Sequence, residues 1–427
     1  MVGINMDSVY SVIFYVFAFI SVYVQMFFLV TFVQKRKQIV YSPENLELDN
    51  YGTVTIMVPC YNEEKTLEKT IKSLLALDYP KEKLIIFIVD DGSRDGTWNL
   101  MQQYIGHPNI KIFHKENGGK HTALNLGLKN LESEFVGCLD ADSFVHPQAL
   151  KRIMNTFESN PKIMAVAPSI LVFNPKNVIQ TVQRVEYEMA NYVKKMLGFI
   201  GGIHVTPGPF SIFRKKVFDE LGPYRKAHNT EDQEIGLRMQ EHWYKIDACP
   251  DAYVYTNSPD SIMKLHRQRV RWIYGFVRNL IDYRKLLFKK KYGAVGMLTL
   301  PSGIISLFGV MFLSITVVFN LVKFIYNKVI QISMVGFTPF NFKFDWFFFD
   351  TKIALFLSVI LYILVIVSVM IGRKMTKEKK IFSLSFVYFI IIYAIIAPFW
   401  SIIAIYNAIR SKEASWTLEM ERRAESN

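Results

Sequence analysis

The sequence is short of cysteine and, over long stretches, has no charge at all. Cysteine occurs three times in 427 residues, at Cys60, Cys138 and Cys249. None has a metal-ligand spacing, so zinc modules and disulfide scaffolds are excluded and the thiols read as reduced and structural. There is no internal repeat and no low-complexity tract, which excludes solenoids and biased linkers. Charged residues are 20% of the chain against 51% hydrophobic, and the shortage is uneven. Ser8 to Gln34, Tyr292 to Val322, Ile353 to Gly372 and Ile381 to Ile409 carry no charge. Each is long enough to cross a bilayer as a helix, which takes roughly 20 residues. The first lacks a small-residue cleavage site and is too long for a signal-peptide core, so it reads as a retained anchor. The intervening stretch, about Lys35 to Lys291, has the composition of an ordinary soluble domain.

What is in excess is positive charge, 50 Lys and Arg against 37 Asp and Glu, a net +13. Nucleic-acid binding is one meaning of such a balance. Here the cations cluster beside the apolar runs: Lys35, Arg36 and Lys37 after the first, Lys289 to Lys291 before the second, Arg373 to Lys380 after the third. That is the positive-inside pattern, which puts the soluble domain in the cytoplasm beneath the cell membrane and makes lipid, not nucleic acid, the partner. One conflict remains. Four crossings place the C-terminal tail outside, yet Arg410, Lys412, Arg422 and Arg423 argue for inside. One apolar run is then re-entrant or holds two passes, with Pro301 and Gly303, or Pro398, as break points. Gly336 to Phe349, rich in Phe and carrying Trp346, reads as an interfacial element.

Within the soluble stretch, strands and helices alternate. Val54 to Tyr61, Leu84 to Val89, Ile110 to Phe113, Phe135 onward and Ile163 to Ala167 read as buried strands. Helical spacing follows at Leu67, Ile71, Leu74 and Leu75, with Asn62 as cap and Glu63 and Glu64 in the first turn, then at Trp98 to Ile105 and His121 to Leu131. The alternation predicts a doubly wound, mostly parallel α/β sheet. Val178 to Leu197 is an amphipathic helix, either core or membrane surface. Ile262 to Lys291 is a second, strongly basic one that leads into the next span and favours the membrane interface.

The chemistry centres on Phe135 to Asp142, an apolar strand ending in Asp-x-Asp. Ligands of open α/β sheets bind beyond the carboxyl ends of strands. Asp140 and Asp142 there suit a divalent cation shared with a diphosphate; the plain alternative is a solvated turn. Asp90 and Asp91 end another strand, where an acid accepts hydrogen bonds from a base or ribose, or simply opens an Asp-Gly turn. Lys120 follows two glycines at a helix start, a phosphate-binding arrangement. Asp232 in Thr230-Glu-Asp is either a general base or part of a helix cap. Gln268, Arg271 and Trp272 offer bidentate phosphate binding and sugar stacking, or snorkelling at a membrane surface.

In this order, Asp-Asp-Gly-Ser, Asn-Gly-Gly-Lys, Asp-x-Asp, Thr-Glu-Asp and Gln-x-x-Arg-Trp resemble the membrane-integrated, processive glycosyltransferases of family 2. That group includes the synthases of poly-β-1,6-N-acetylglucosamine, hyaluronan, chitin and cellulose. The resemblance covers roughly Thr53 to Trp272 and the flanking hydrophobic segments. It implies an α/β fold of GT-A (Rossmann-like) type over 50–260, an anchor over 1–37, an amphipathic interface region over 261–291, a transmembrane region over 292–410 and a basic tail over 411–427. It also implies a UDP-sugar donor, UDP-GlcNAc before UDP-Glc, and Mg²⁺ or Mn²⁺ as cofactor. By motif, Asp90 and Asp91 would contact uridine, Lys120 the donor near its diphosphate, and Asp140 and Asp142 the metal. Asp232 would be the base, while Gln268, Arg271 and Trp272 close over the diphosphate and the acceptor end. Thr206 to Arg214 resembles the acceptor-side loop, though it also suits a plain tight turn. The implied product is a β-linked polysaccharide, and an accessory membrane subunit is compatible with the pattern. The alternatives are a non-processive enzyme that glycosylates a membrane lipid, or a non-catalytic nucleotide-sugar-binding protein. A transporter is disfavoured because the apolar runs carry almost no ionisable residues.

Overall fold

A computed structural model of the chain describes residues 6–39, 41–43, 45–336, 353–378 and 383–411. The expected interfacial element at Gly336 to Phe349 lies, beyond its first residue, outside them.

The soluble part is built on one eight-stranded mixed sheet. Its first half is parallel: β1 (Val54–Cys60), β2 (Leu84–Asp90), β3 (Ile110–His114) and β4 (Phe135–Cys138) lie in the order β3-β2-β1-β4. Helices α2 (Leu67–Leu75), α3 (Thr97–Gln102) and α4 (Lys120–Lys129) alternate with these strands. The second half departs from the expected doubly wound pattern. Past β4 the order continues β7-β6-β8-β5, with β5 (Ser143–Val145), β6 (Ile163–Val172), β7 (Ile212–Arg214) and β8 (Lys245–Thr256). β7 is antiparallel to both β4 and β6, and β5 is antiparallel to β8. β5 and β7 are three residues each, too short to show period-two alternation in sequence.

Strand alternation divides the core in two. Ile56 and Val58 of β1 face α2 and α5 (Ala149–Ser159), meeting Leu67, Ile71, Leu74 and Phe157. Met57, one residue out of phase, faces the other side with Leu124, Tyr192, Met196, Ile235 and Met239. These belong to α4, α6 (Val178–Phe199) and α8 (Glu231–Glu241), which lies beyond α7 (Lys216–Leu221). Each such aliphatic side chain, fully buried, contributes about 1.5–3 kcal/mol. Asn62 does not cap α2. It sits at φ +56° and its side chain accepts from the Arg94 amide at 2.8 Å, tying the β1 end to the loop after β2.

Long helices flank this body: α1 (Met6–Lys35), α9 (Ile262–Asp282), α10 (Leu300–Val335), α11 (Ile353–Met375) and α12 (Ser385–Ile409). Among the described residues four helical segments, in α1, at the start of α10, in α11 and in α12, are long and apolar enough to span a bilayer. The proposed break points do not break them. Pro301 stands in the first turn of α10, and Pro398 lies inside a continuous α12. Phe28 of α1 and Met375 of α11 reach into the sheet's second core. Helix α6, read from sequence as core or membrane surface, packs one side on β6 and β8 and the other on α11 and α12.

Candidate active site

Register places the chemistry. β1 and β2 run in step from Val54 beside Leu84 to Cys60 beside Asp90, and Asp90 in turn pairs with His114. The carboxyl ends of the parallel strands β1 to β4 therefore open on one rim of the sheet, where β4 hands over to Asp140 and Asp142.

Asp90 and Asp91 are both buried there and already engaged. Asp90 accepts from His114 Nδ1 at 2.7 Å and from the Ser93 amide at 3.2 Å. His114 lies against Trp98, 4.7 Å between ring centres. Asp91 accepts from the amides of Gly118 and Gly119, at 3.0 and 2.8 Å, and from Lys115 Nζ at 2.5 Å. Asp91 thus fixes the Asn117-Gly-Gly-Lys120 loop and, through it, the start of α4. Gly119, at φ +89°, makes the turn that a side chain would strain.

The loop delivers Lys120 to an acidic cluster. Its Nζ lies 2.6 Å from Asp140 Oδ1 and 3.0 Å from Glu231 Oε1. Burial works against the ammonium charge, but Asp140 and Glu231 outweigh it and hold Lys120 well above its usual range. For Glu231, burial opposes ionisation, and Lys120 and a backbone hydrogen bond overcome it, keeping the carboxyl low. Asp232 behaves oppositely: burial, then the neighbouring Glu231, pushes it up to about 6. Its main-chain oxygen accepts from the amide and hydroxyl of Thr206, at 3.1 and 2.9 Å, so the Thr206–Arg214 loop is pinned to α8. Gly208 of that loop is a close approach: a Cβ there would stand 2.8 Å from Lys120 Nζ and 3.3 Å from both Asp140 carboxylate oxygens.

Asp142 is pushed up to about 7, by burial first and then by Asp140 and Glu63, against a 3.0 Å hydrogen bond from Ser143 Oγ. The pair presents hard oxygen ligands with more negative charge than its surroundings neutralise. That fits Mg²⁺ or Mn²⁺ whose remaining ligands are phosphate oxygens and water. Among the described residues no group of three His, Cys, Asp or Glu side chains forms a protein-only cage.

Helix α9, packed against α12, closes the cluster on another side. Gly275 abuts Thr230, where a Cβ would meet its Cγ2 at 2.3 Å, and Asn279 donates to Thr230 Oγ1 at 2.8 Å. Thr230 stands at the start of α8 without capping it through its side chain. Arg271 Nη1 donates to the Asn229 carbonyl at 3.4 Å, and its charge acts on both Glu231 and Asp232. Trp272, 36% exposed, carries the Arg269 guanidinium 4.1 Å from its ring centre. No hydrogen bond joins Gln268 to the Lys120 cluster among the described residues; its amide oxygen is buried without a partner.

The structure therefore gathers Lys120, Asp140, Asp142, Asp232 and Arg271 at one rim, sets Asp90 and Asp91 beneath it as supports, and leaves Gln268 and Trp272 along α9. Sequence reasoning missed Glu63, Glu231 and His114 as members of the site. Glu63 and His114 follow or end strands on the same rim, which was the available signal. Glu231 was overshadowed by the acid beside it.

The fold and the rim define an α/β enzyme that acts on ligands at strand carboxyl ends. The profile described as glycosyl transferase family 2 matches residues 55–222. The poly-beta-1,6-N-acetyl-D-glucosamine synthase of Staphylococcus epidermidis is 27% identical over 373 residues, covering 85% of this chain and 86% of that one. The protein of the same name from Staphylococcus aureus (strain COL) is 32% identical over 234 residues, 54% of this chain and 56% of that one. Among solved structures, a mannosyltransferase from Pyrobaculum calidifontis in complex with GDP-Man and Mn²⁺ superposes with a TM-score of 0.58 at 16% identity, covering 93% of this chain and all of that one. Residues 55–222 are thus a glycosyl transferase family 2 domain, and the chain is a glycosyltransferase whose GT-A-type domain is flanked by candidate membrane helices.

Proposed function

We propose that this protein is an inverting, metal-dependent transferase that adds sugar from a UDP-sugar, UDP-GlcNAc before UDP-Glc, to the end of a growing β-linked polysaccharide. It works at the inner face of the cell membrane, with residues 50–260 as a cytoplasmic catalytic domain, 261–291 as the interface region and 292–410 as the hydrophobic region. The relatives named as poly-β-1,6-N-acetylglucosamine synthases support the product class. The observation that carries the chemistry is the junction of Lys120, Asp140, Glu231 and Asp232 at the rim.

Asp140 and Asp142 would hold Mg²⁺ or Mn²⁺, which neutralises charge on the departing diphosphate. Lys120 reaches the same place with a protonated ammonium on a rigid helix start, so it meets phosphate oxygens without a large rearrangement. Asp232, raised towards neutrality, takes the proton from the acceptor hydroxyl. The acceptor oxygen bonds to the anomeric carbon as the bond from that carbon to the phosphate oxygen breaks, and UDP leaves from the opposite face. One displacement inverts the centre, and an α-linked donor yields a β-linkage. Glu231 keeps Lys120 in place and its own charge raises Asp232. Arg271 balances the acids, and Trp272 offers an exposed ring for the acceptor sugar. Asp91 acts on the donor site through the Lys120 loop, while Asp90, His114 and Trp98 line the side expected to take uridine.

The test is UDP release from the purified chain in nanodiscs, with a panel of UDP-sugars and Mg²⁺ or Mn²⁺, and sizing of the product. Metal-dependent conversion of one donor into a long polymer bears the reading out. Transfer of a single sugar to lipid replaces it with lipid glycosylation, and absence of UDP binding overturns the site.

A further inference from the structure

Three of the four membrane helices leave the soluble body end-on. In α1, Phe28 reaches the domain core, while most of the helix lies against α11 and α10. In α11 exposure falls along the chain: Ile353 and Phe356 are 66% exposed, Val369, Arg373 and Met375 at most 2%. In α10, Leu300 is buried and the helix then runs out to Met334, 78% exposed.

Helix α12 is different. It is buried along its whole length on one side, from Ser385, Phe386 and Phe389 to Trp400, Ala404 and Ala408. The opposite stripe, Leu384, Ile391, Ile395, Phe399, Ile402 and Ile409, is exposed. The buried side lies chiefly on α6 and α9, with further contacts to α11 and α10. Polar contacts fix its two ends and its middle. Ser385 Oγ accepts from Arg373 at 2.9 Å, and Arg373 is paired with Glu188 of α6 at 2.6 Å. Tyr393 donates to Glu186, which also takes Arg269 of α9. Beyond the last turn, Ser411 Oγ lies 3.3 Å from Arg278 of α9.

Neither supporting helix can sit deep in a bilayer. α6 is bound to the sheet through Asn191 to Ile170 at 2.8 Å and Lys195 to Asp247 at 2.9 Å. α9 is bound to Thr230 beside the acidic cluster. A crossing helix must carry its ends to opposite faces of a hydrocarbon layer about 30 Å thick. Both ends of α12 are held to the domain. The helix is also continuous through Pro398, so it makes no re-entrant hairpin.

We propose that α12 lies in the plane of the membrane leaflet that faces the soluble domain, with its exposed stripe as a docking surface for that lipid leaflet, and that among the described helices α1, α10 and α11 make the crossings. The lipid assignment follows from continuity with the exposed apolar faces of those helices and from the cations at the ends, Lys374 on one side and Arg278 and Arg410 on the other. Arg410 lies 4.7 Å from the ring centre of Tyr406, an interface pairing. Three crossings also put Arg410, at the start of the basic tail, on the side of Lys35 to Lys37, removing the conflict in the charge pattern. Helix α12 has no polar face because one side meets protein and the other meets lipid; that is why its composition imitates a span. The proposal rests on the membrane reading alone and is independent of the reaction catalysed.

Single cysteines introduced into the full-length chain test it, since Cys60, Cys138 and Cys249 are buried. Ser411→Cys is compared with Lys65→Cys on the domain and Met334→Cys at the far end of α10. Sealed vesicles of both orientations are treated with a membrane-impermeant maleimide. Ser411→Cys should label at least tenfold more from the side that labels Lys65→Cys, and Met334→Cys from the other. An epitope appended after Asn427, read by protease access, gives the same sidedness without any substitution in α12. Labelling of Ser411→Cys, or cleavage of the epitope, from the Met334 side or equally from both sides overturns the proposal.

Discussion

Asp232→Asn separates catalysis from folding. Burial and Glu231 lift this carboxyl from an ordinary 3.8 to about 6. A general base acts in its ionised form, so activity falls as pH drops through about 6. At pH 5 roughly one part in eleven of the sites is ionised, and kcat should be down about tenfold from its plateau above pH 7. The stability sign is the reverse of the usual carboxylate case. The folded state holds this proton more tightly than the unfolded chain, so ionising it costs stability. That cost is absent well below pH 4, grows between about 4 and 6, and is complete above 6. A shift of about two units corresponds to ~3 kcal/mol, an upper bound because the side chain keeps some access to solvent. The Asn variant should therefore lose about 10²–10⁴ in kcat, bind UDP nearly as well as the parent, and melt no lower at pH 7. The assay is coupled UDP release across pH 5–8 at saturating donor and metal, with UDP binding measured separately. Saturation matters because Asp142, pushed up to about 7, belongs to the same acidic cluster and its titration should appear in donor KM. A parent kcat flat from pH 5 to 7.5, or an Asn variant with more than about a tenth of parental kcat, refutes the base assignment.

Other substitutions probe the supports. Lys120→Met leaves Asp140 and Glu231 without their shared cation; donor KM should rise at least about tenfold with kcat also reduced, measured by UDP release and by titration of UDP. Gly208→Ala places a methyl 2.8 Å from Lys120 Nζ; a severe loss of turnover is expected with the melting temperature nearly unchanged, because the clash falls on the site and not the core. Arg373→Met leaves buried Glu188 with only Arg184, 3.7 Å away, and should cost about 3 kcal/mol, while the double change with Glu188→Met recovers most of it; thermal unfolding of the detergent-purified variants checks both.

The parallel half of the sheet was legible because β1, β2 and β4 are apolar runs ending in turn or acidic residues, the pattern of strands covered on both faces. The antiparallel half was not. β7 is Ile212–Arg214, three residues after a Pro-Gly-Pro turn, and its pairing with β4 is fixed by long-range packing of Ile212 against Gly137. In the site, motif order located the acids and Lys120 but not their mutual roles. Asp-Asp-Gly-Ser suggested acids on a base or ribose, or an Asp-Gly turn, but not that Asp91 accepts from the amides of Gly118 and Gly119. Glu231 holds Lys120, a partnership spanning 111 positions that no local spacing encodes. The apolar runs told which segments avoid water but not which avoid it by contact with protein, and α12 is the segment where that distinction changes the topology.

Helix α9 is where these threads meet. Its Gly275 and Asn279 touch Thr230, and its Arg271 reaches Asn229, so one side is a wall of the acidic cluster. Its Leu265, Val270 and Tyr274 pack with Trp400, Ala404 and Ala408 of α12. Arg269, 4% exposed, joins the two sides: it pairs with Glu186 and lies over Trp272. A buried cation of this kind is stable only while its partner stays in place. Trp272 is thereby held by a chain of contacts that begins at α6 and α12, on the lipid side of the domain. The orientation of Trp272 is set from the face of the domain that carries α6 and α12, which gives a physical reason for the rim and the apolar helices to be parts of one folding unit.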